Sequence, residues 1–203
     1  MKKTLLFIAA MAATVFANAQ FKDDFESNNM GWSEFVAKDG EATIKEGKLH
    51  LIGKKEIPSN ISSNDKASFS STYCYAPFDF NKNFSIKAKV FAKKIDDENN
   101  FGIMFNYIDE YNFCAFSITE DYVYFYRYKE GRLVGFNRNG AKTKNLKKSD
   151  VNLEIKSTFN KVEFYINNVK VILQKYVPME STGIGFYVLG KGVADFDDLE
   201  ITQ

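Results

Sequence analysis

Asp121-Tyr-Val-Tyr-Phe-Tyr-Arg-Tyr128 is the stretch whose reading decides the fold. Successive side chains of a strand point to opposite faces. Tyr122, Tyr124, Tyr126 and Tyr128 therefore share one face, and Val123, Phe125 and Arg127 share the other. If Val123 and Phe125 enter a core, four phenolic rings line the outer surface of a sheet. The inverted facing, with the tyrosines inside, obeys the same two-residue period.

The period continues on both sides of this segment. Alternation predicts strands over 84–92, 100–107, 111–118, 132–136, 151–157, 183–189 and 193–201. Residues 161–166 and 169–173 form a hairpin through Asn167-Asn168, a pair that tolerates positive φ. Toward the N-terminus, 21–25 and 72–75 are short strands, and 41–53 is two strands around the turn Glu46-Gly47. The polar stretches 54–70 and 137–150 read as loops. There is no linker, repeat or helix-period stretch between the turns. About a dozen short strands joined by polar turns call for a sandwich or barrel.

Residues 1–19 have the form of a secretory signal: Lys2 and Lys3, an apolar run from Leu5 to Phe16, and the small-residue site Ala17-Asn18-Ala19. Cleavage after Ala19 leaves a single domain over 20–203, placed in a periplasm or outside the cell. No later run is long and apolar enough to span a membrane. The full chain has 27 basic and 26 acidic residues, and removing Lys2 and Lys3 leaves 25 against 26. That balance excludes nucleic acid as a partner, which demands a clustered basic excess. Two cysteines, Cys74 and Cys114, are present. They form either a disulfide in the oxidising compartment or two buried free thiols.

Several segments in order carry a resemblance. They are Phe84-Ser-Ile-Lys-Ala-Lys-Val90, Phe101-Gly-Ile-Met-Phe105, Phe113-Cys-Ala-Phe-Ser-Ile118 and Asn160-Lys-Val-Glu-Phe-Tyr-Ile-Asn167. Gly183-Ile-Gly-Phe-Tyr187 and Phe196-Asp-Asp-Leu-Glu-Ile201 complete the set, with Asp23-Asp24-Phe25 and Gly31-Trp32 at the start. Together they resemble the concanavalin A-like lectin/glucanase superfamily, in particular laminin-G-like domains of secreted bacterial proteins. The resemblance implies an all-β jelly-roll sandwich of two antiparallel sheets. Its members bind carbohydrate, bind protein or hydrolyse glycans, so the fold alone does not select a function.

The tyrosine face is the first candidate site, with Met104, Asn106 and Phe113 on neighbouring strands able to share it. Aromatic rings stack on the apolar faces of sugars while their hydroxyls form hydrogen bonds. Tyrosines also cover sheets for purely structural reasons. The acidic ends are the second candidate: Asp23, Asp24 and Glu26 near the start, and Asp195, Asp197 and Asp198 near the finish. Asp24 and Asp198 are the expected ligands of a structural Ca²⁺, which takes six to eight oxygens; the alternative is that these acids cap turns.

Catalysis has little to stand on. The glucanase spacing Glu-x-Asp-x-x-Glu implied by the resemblance is absent. Glu154 and Glu163 stand singly on strands, and His50 is the only histidine. The basic run Lys142-Thr-Lys-Asn-Leu-Lys-Lys148 could steer an acidic polysaccharide or simply be a solvated loop. The expectation is a non-catalytic glycan-binding module, with a protein-interaction domain of the cell envelope as the alternative and a glycoside hydrolase behind both.

Overall fold

A computed structural model of the chain describes residues 20–56, 69–94, 100–140, 150–175 and 177–203. The expected signal segment 1–19 lies outside the described residues, as do 57–68 and the basic run 142–148. No helix among the described residues is long and apolar enough to cross a membrane.

In chain order the strands are β1 (Gln20–Asp23), β2 (Phe35–Val36), β3 (Gly40–Lys45), β4 (Lys48–Gly53) and β5 (Phe69–Tyr75). Then come β6 (Phe84–Lys94), β7 (Asn100–Asp109), β8 (Asn112–Ile118), β9 (Tyr122–Lys129) and β10 (Arg132–Gly140). The last are β11 (Val151–Thr158), β12 (Lys161–Ile166), β13 (Val169–Lys175), β14 (Gly183–Leu189) and β15 (Val193–Thr202). The larger sheet runs β13-β12-β11-β6-β15-β4-β3-β2, with β1 also beside β15. The smaller runs β10-β9-β8-β7-β14-β5. All pairings are antiparallel, as hairpin connections favour.

Three two-residue hairpins connect neighbouring strands, two of them at the turns read from the sequence. Both central residues have positive φ at Glu46-Gly47 (55° and 65°), Glu130-Gly131 (52° and 75°) and Asn167-Asn168 (48° and 65°). This backbone matches the twist of the flanking strands.

The inward residues of both sheets form one core. Val123 and Phe125 lie in it, 0% and 1% exposed. Phe164 of β12 is its hinge point: its ring centroid lies 5.9 Å from Phe105, 4.9 Å from Phe116 and 5.6 Å from Phe125. At the other end Trp32 stacks on Phe186 at 5.5 Å, and Phe186 meets Phe196 at 4.4 Å. The indole N–H donates to Asp23 Oδ2 at 2.7 Å, and Asp23 Oδ1 accepts from the Phe25 amide at 3.0 Å.

Some expectations need correction. The stretch 137–150 is not all loop, because β10 extends to Gly140. Asn137 and Asn139 donate to the carbonyls of Leu173 (3.4 Å) and Val171 (2.7 Å), so polar residues hold two strands of opposite sheets together. Phe69 and Ser70 belong to β5 rather than to a loop, and the two-residue β2 has no sequence signal of its own. The disulfide is excluded by register. Cys114 faces Phe105, Phe105 faces Ile184, and Ile184 faces Cys74. Three strand spacings put the cysteines about 14 Å apart, about twice what a bridge allows. Both thiols are free and buried, and burial pushes each up to about 12.

Candidate functional site

The two outer surfaces of the sandwich have opposite chemistry. On the larger sheet, inward Leu153, Ile155, Val162 and Phe164 force Glu154 and Glu163 outward. These are not single solvated acids as the sequence suggested. Glu163, 7% exposed, accepts from Lys161 at 3.0 Å, Lys170 at 3.1 Å and Tyr165 at 3.1 Å. Glu154 accepts from Ser85 at 2.8 Å and pairs with Lys87 and Lys156. On the same surface His50 Nδ1 lies 2.6 Å from Asp195 Oδ1, whose other oxygen meets Lys93 at 2.7 Å. This is a charge ladder; Thr43 of β3 lies opposite His50 in register, and its hydroxyl forms no hydrogen bond with a described residue.

The hydrogen bond from Lys161, with those from Lys170 and Tyr165, holds Glu163 down at about 2, against an ordinary 4.5. A depressed carboxylate contributes stability that is complete above its unfolded value and vanishes as pH falls through the folded one. The protein should therefore lose stability between about pH 4.5 and about pH 2. Glu163→Gln should flatten that acid limb in denaturant titrations, and an unchanged slope would refute the assignment.

The outer surface of the smaller sheet is aromatic. Register places three rows across it. The first reads Arg138, Tyr124, Ser117, Gly102, Tyr187, Ser71. The second reads Phe136, Tyr126, Ala115, Met104, Gly185, Tyr73. The third holds Leu133, Tyr128 and Phe113, then continues past an irregularity in β7 to Tyr107, Gly183 and Tyr75. Tyr122 extends the line on β9 and is 39% exposed.

The rings support one another. Tyr124 and Tyr126 are nearly parallel at 14°, centroids 5.5 Å apart, and Phe136 lies 6.1 and 5.7 Å from them. Phe113 stacks on Tyr128 at 5.0 Å. Phe69 of β5 reaches Phe113 of β8 at 5.8 Å, across two intervening strands. Those strands present Gly102, Gly185 and Gly183 alongside the buried Met104 and Tyr187, and the surrounding rings converge over this low floor. A β-carbon at Gly102 would meet the Phe116 carbonyl oxygen at 1.9 Å, so no other residue fits there.

Of the expected site residues, the four tyrosines stand on this surface, Tyr122 exposed and Tyr124, Tyr126 and Tyr128 half-buried. Met104 (2% exposed) and Phe113 (5%) form its floor rather than its rim. Asn106 lines a small cleft with Phe113 and Tyr128 at the edge of this surface, but its amide is engaged elsewhere. Its φ is 52°, and its side chain accepts from the amides of Glu180 and Ser181 and donates to the Pro178 carbonyl. Sequence reading missed Tyr187, Tyr73, Tyr107 and Phe136, although alternation in 183–189 and 72–75 carried the signal. Burial raises the phenols of Tyr126 and Tyr128, and Tyr107 up to about 12, so they remain protonated donors at neutral pH.

Tyr187 is fully buried and raised well above the phenol range, chiefly by burial; the Ser117 hydroxyl lies close enough to act on it without completing a hydrogen bond. Its hydroxyl, Ser117 Oγ and Asn100 Oδ1 all lack partners. Removing an unpaired buried hydroxyl relieves a desolvation cost, so Tyr187→Phe should gain up to about 1 kcal/mol in urea unfolding. A loss of that size would show that the hydroxyl is bonded.

The acidic ends do meet. Asp24 and Asp198 line one cleft of about 420 Å³ with Lys22, Asn29 and Glu200. The residues do not fit a resident Ca²⁺. Lys89 donates to Asp198 at 2.6 Å, Lys22 pairs with Glu200 at 3.5 Å, and Asp23 is engaged by Trp32. Asp195, held by His50 and Lys93, is elsewhere. Among the described residues no three such groups gather to hold a metal ion. A chelator should leave the melting midpoint unchanged; a fall would require calcium binding.

No family model matches the chain, and no curated protein matches it. Solved structures do. The carbohydrate binding module CBM66 from Bacillus subtilis matches with TM-score 0.61 and 14% identity, over 86% of this chain and 98% of that one. A Bacillus licheniformis beta-glucanase matches with TM-score 0.62 and 11% identity, over 91% and 98%. A Bacillus subtilis protein of unknown function with a galectin-like fold matches with TM-score 0.60 and 12% identity, over 90% and 94%. The chain has the concanavalin A-like lectin/glucanase fold. Carbohydrate-binding modules, lectins and glucanases share that fold.

Proposed function

We propose that the protein is an exported, non-catalytic carbohydrate-binding module whose contact surface is the tyrosine face of the smaller sheet. The aromatic character of that face carries the reading. Tyr122 to Tyr128 span about 20 Å of extended chain, room for several sugar rings end to end. Rigid phenols give stacking area with little loss of side-chain entropy and keep donors at their rims. Glycoside hydrolysis needs two carboxyl groups about 5–9.5 Å apart, and the three rows contain no acid. Export rests on residues 1–19, whose pattern is that of a cleaved signal.

The test is a polysaccharide array followed by calorimetry. Saturable binding to at least one polysaccharide without its hydrolysis is expected. Absence of binding at millimolar concentration across the array would overturn the reading in favour of a protein partner in the envelope.

A further inference from the structure

The tyrosine face carries a single charge in its three rows, and it is positive. Arg138 sits opposite Tyr124 in register, and its guanidinium carbon lies 4.7 Å above the centre of the Tyr122 ring. Its position is imposed by the strand. Asn137 and Asn139 are tied to β13 carbonyls on the other side of β10, so Phe136 and Arg138 must project among the tyrosines. Arg138 is exposed and forms no ion pair with any described residue. Of the acids around it in sequence, Glu130 occupies the turn at the far end of β9 and β10, and Glu120 and Asp121 occupy the turn before β9.

From this geometry we infer that the ligand is an anionic glycan, with a carboxylate or sulfate group seated on Arg138 while its sugar rings lie along the β9 tyrosines. The inference rests on the glycan reading above. The Tyr122 ring holds the guanidinium plane by cation–π attraction, which leaves its N–H edge free for an acceptor. A planar fork of donors matches carboxylate and sulfate oxygens and adds a charge-assisted bond that a neutral sugar cannot form. No carboxylate in the three rows opposes an incoming anion. A uronate and a sulfate ester share this chemistry and are separated by the test.

The experiment uses acidic polysaccharides, each paired with its neutralised counterpart: polygalacturonate with its methyl ester, and chondroitin sulfate with its desulfated and its carboxyl-reduced forms. Affinities are measured at low and high salt for the wild type and for Arg138→Gln, with folding checked by thermal melting. The acidic member of at least one pair should bind about tenfold or more tightly, as one charge-assisted bond supplies. Salt should narrow the difference, and Arg138→Gln should remove it. Loss of binding on desulfation assigns the sulfate, and loss on carboxyl reduction the uronate. Equal binding of acidic and neutral members overturns the anion seat and leaves the glycan reading intact, as does a preference that survives Arg138→Gln. Failure of every polysaccharide, here and on the array, overturns both.

Discussion

Phe164→Ala should destabilise the protein by about 3–5 kcal/mol, the range for emptying a fully buried aromatic site. The ring is 0% exposed and touches Phe105, Phe116 and Phe125, contributed by three different strands of the opposite sheet. No single neighbour can close the hole, because each is fixed by its own ladder of backbone hydrogen bonds. Domains of this kind have about 5–15 kcal/mol in total, so the variant should sit near the edge of folding at 37 °C. Phe159→Ala is the control: that ring is 80% exposed in a turn, and its removal should change stability by about 0.5 kcal/mol or less. Urea titrations of both variants test the pair. A cost at Phe164 below about 1 kcal/mol would mean that the two sheets do not meet on this ring.

The consequence reaches the opposite surface. Phe125 packs on Phe164, and its strand neighbours Tyr124 and Tyr126 face outward because Phe125 faces inward. A loosened core should therefore weaken the platform without touching it. This coupling is also why the face was legible from the sequence: two-residue alternation around Val123 and Phe125 needs only one buried side to settle the other. The turns at 46–47 and 167–168 were legible for a similar local reason, since Gly47 and the Asn167-Asn168 pair accept positive φ at low cost.

What was hidden depended on partners distant in sequence. Asn137 and Asn139 look like loop residues until β13 supplies acceptors 36 and 32 residues away. Asp23 looks like a metal ligand until Trp32 donates to it, and Asp198 until Lys89 arrives from β6. Glu154 and Glu163 look solvated until cross-strand lysines fold down onto them. The cysteines illustrate the same limit. Their strands were recognisable, but only sheet order shows that two others lie between them. Arg138 was unremarkable as a sequence letter because its strand had been read as a loop.

Replacing Tyr124 and Tyr126 together by alanine should reduce glycan affinity by about thirtyfold or more, corresponding to about 2 kcal/mol. Their near-parallel rings, 5.5 Å apart, sit between Phe136 and the buried floor. Neither contributes to the core between the sheets, where Val123 and Phe125 stay in place, so the variant should remain folded. A second variant identifies which part of the ring acts. Tyr124→Phe with Tyr126→Phe keeps the stacking area and removes only the hydroxyls, of which burial keeps that of Tyr126 a protonated donor at neutral pH. If stacking dominates, the phenylalanine pair should lose less than about fivefold, because the hydroxyls then exchange sugar for water at little net gain. If both variants lose affinity equally, polar recognition governs the site. Full affinity in a folded alanine pair would remove the tyrosine platform from the binding surface altogether, whatever glycan had been found to bind.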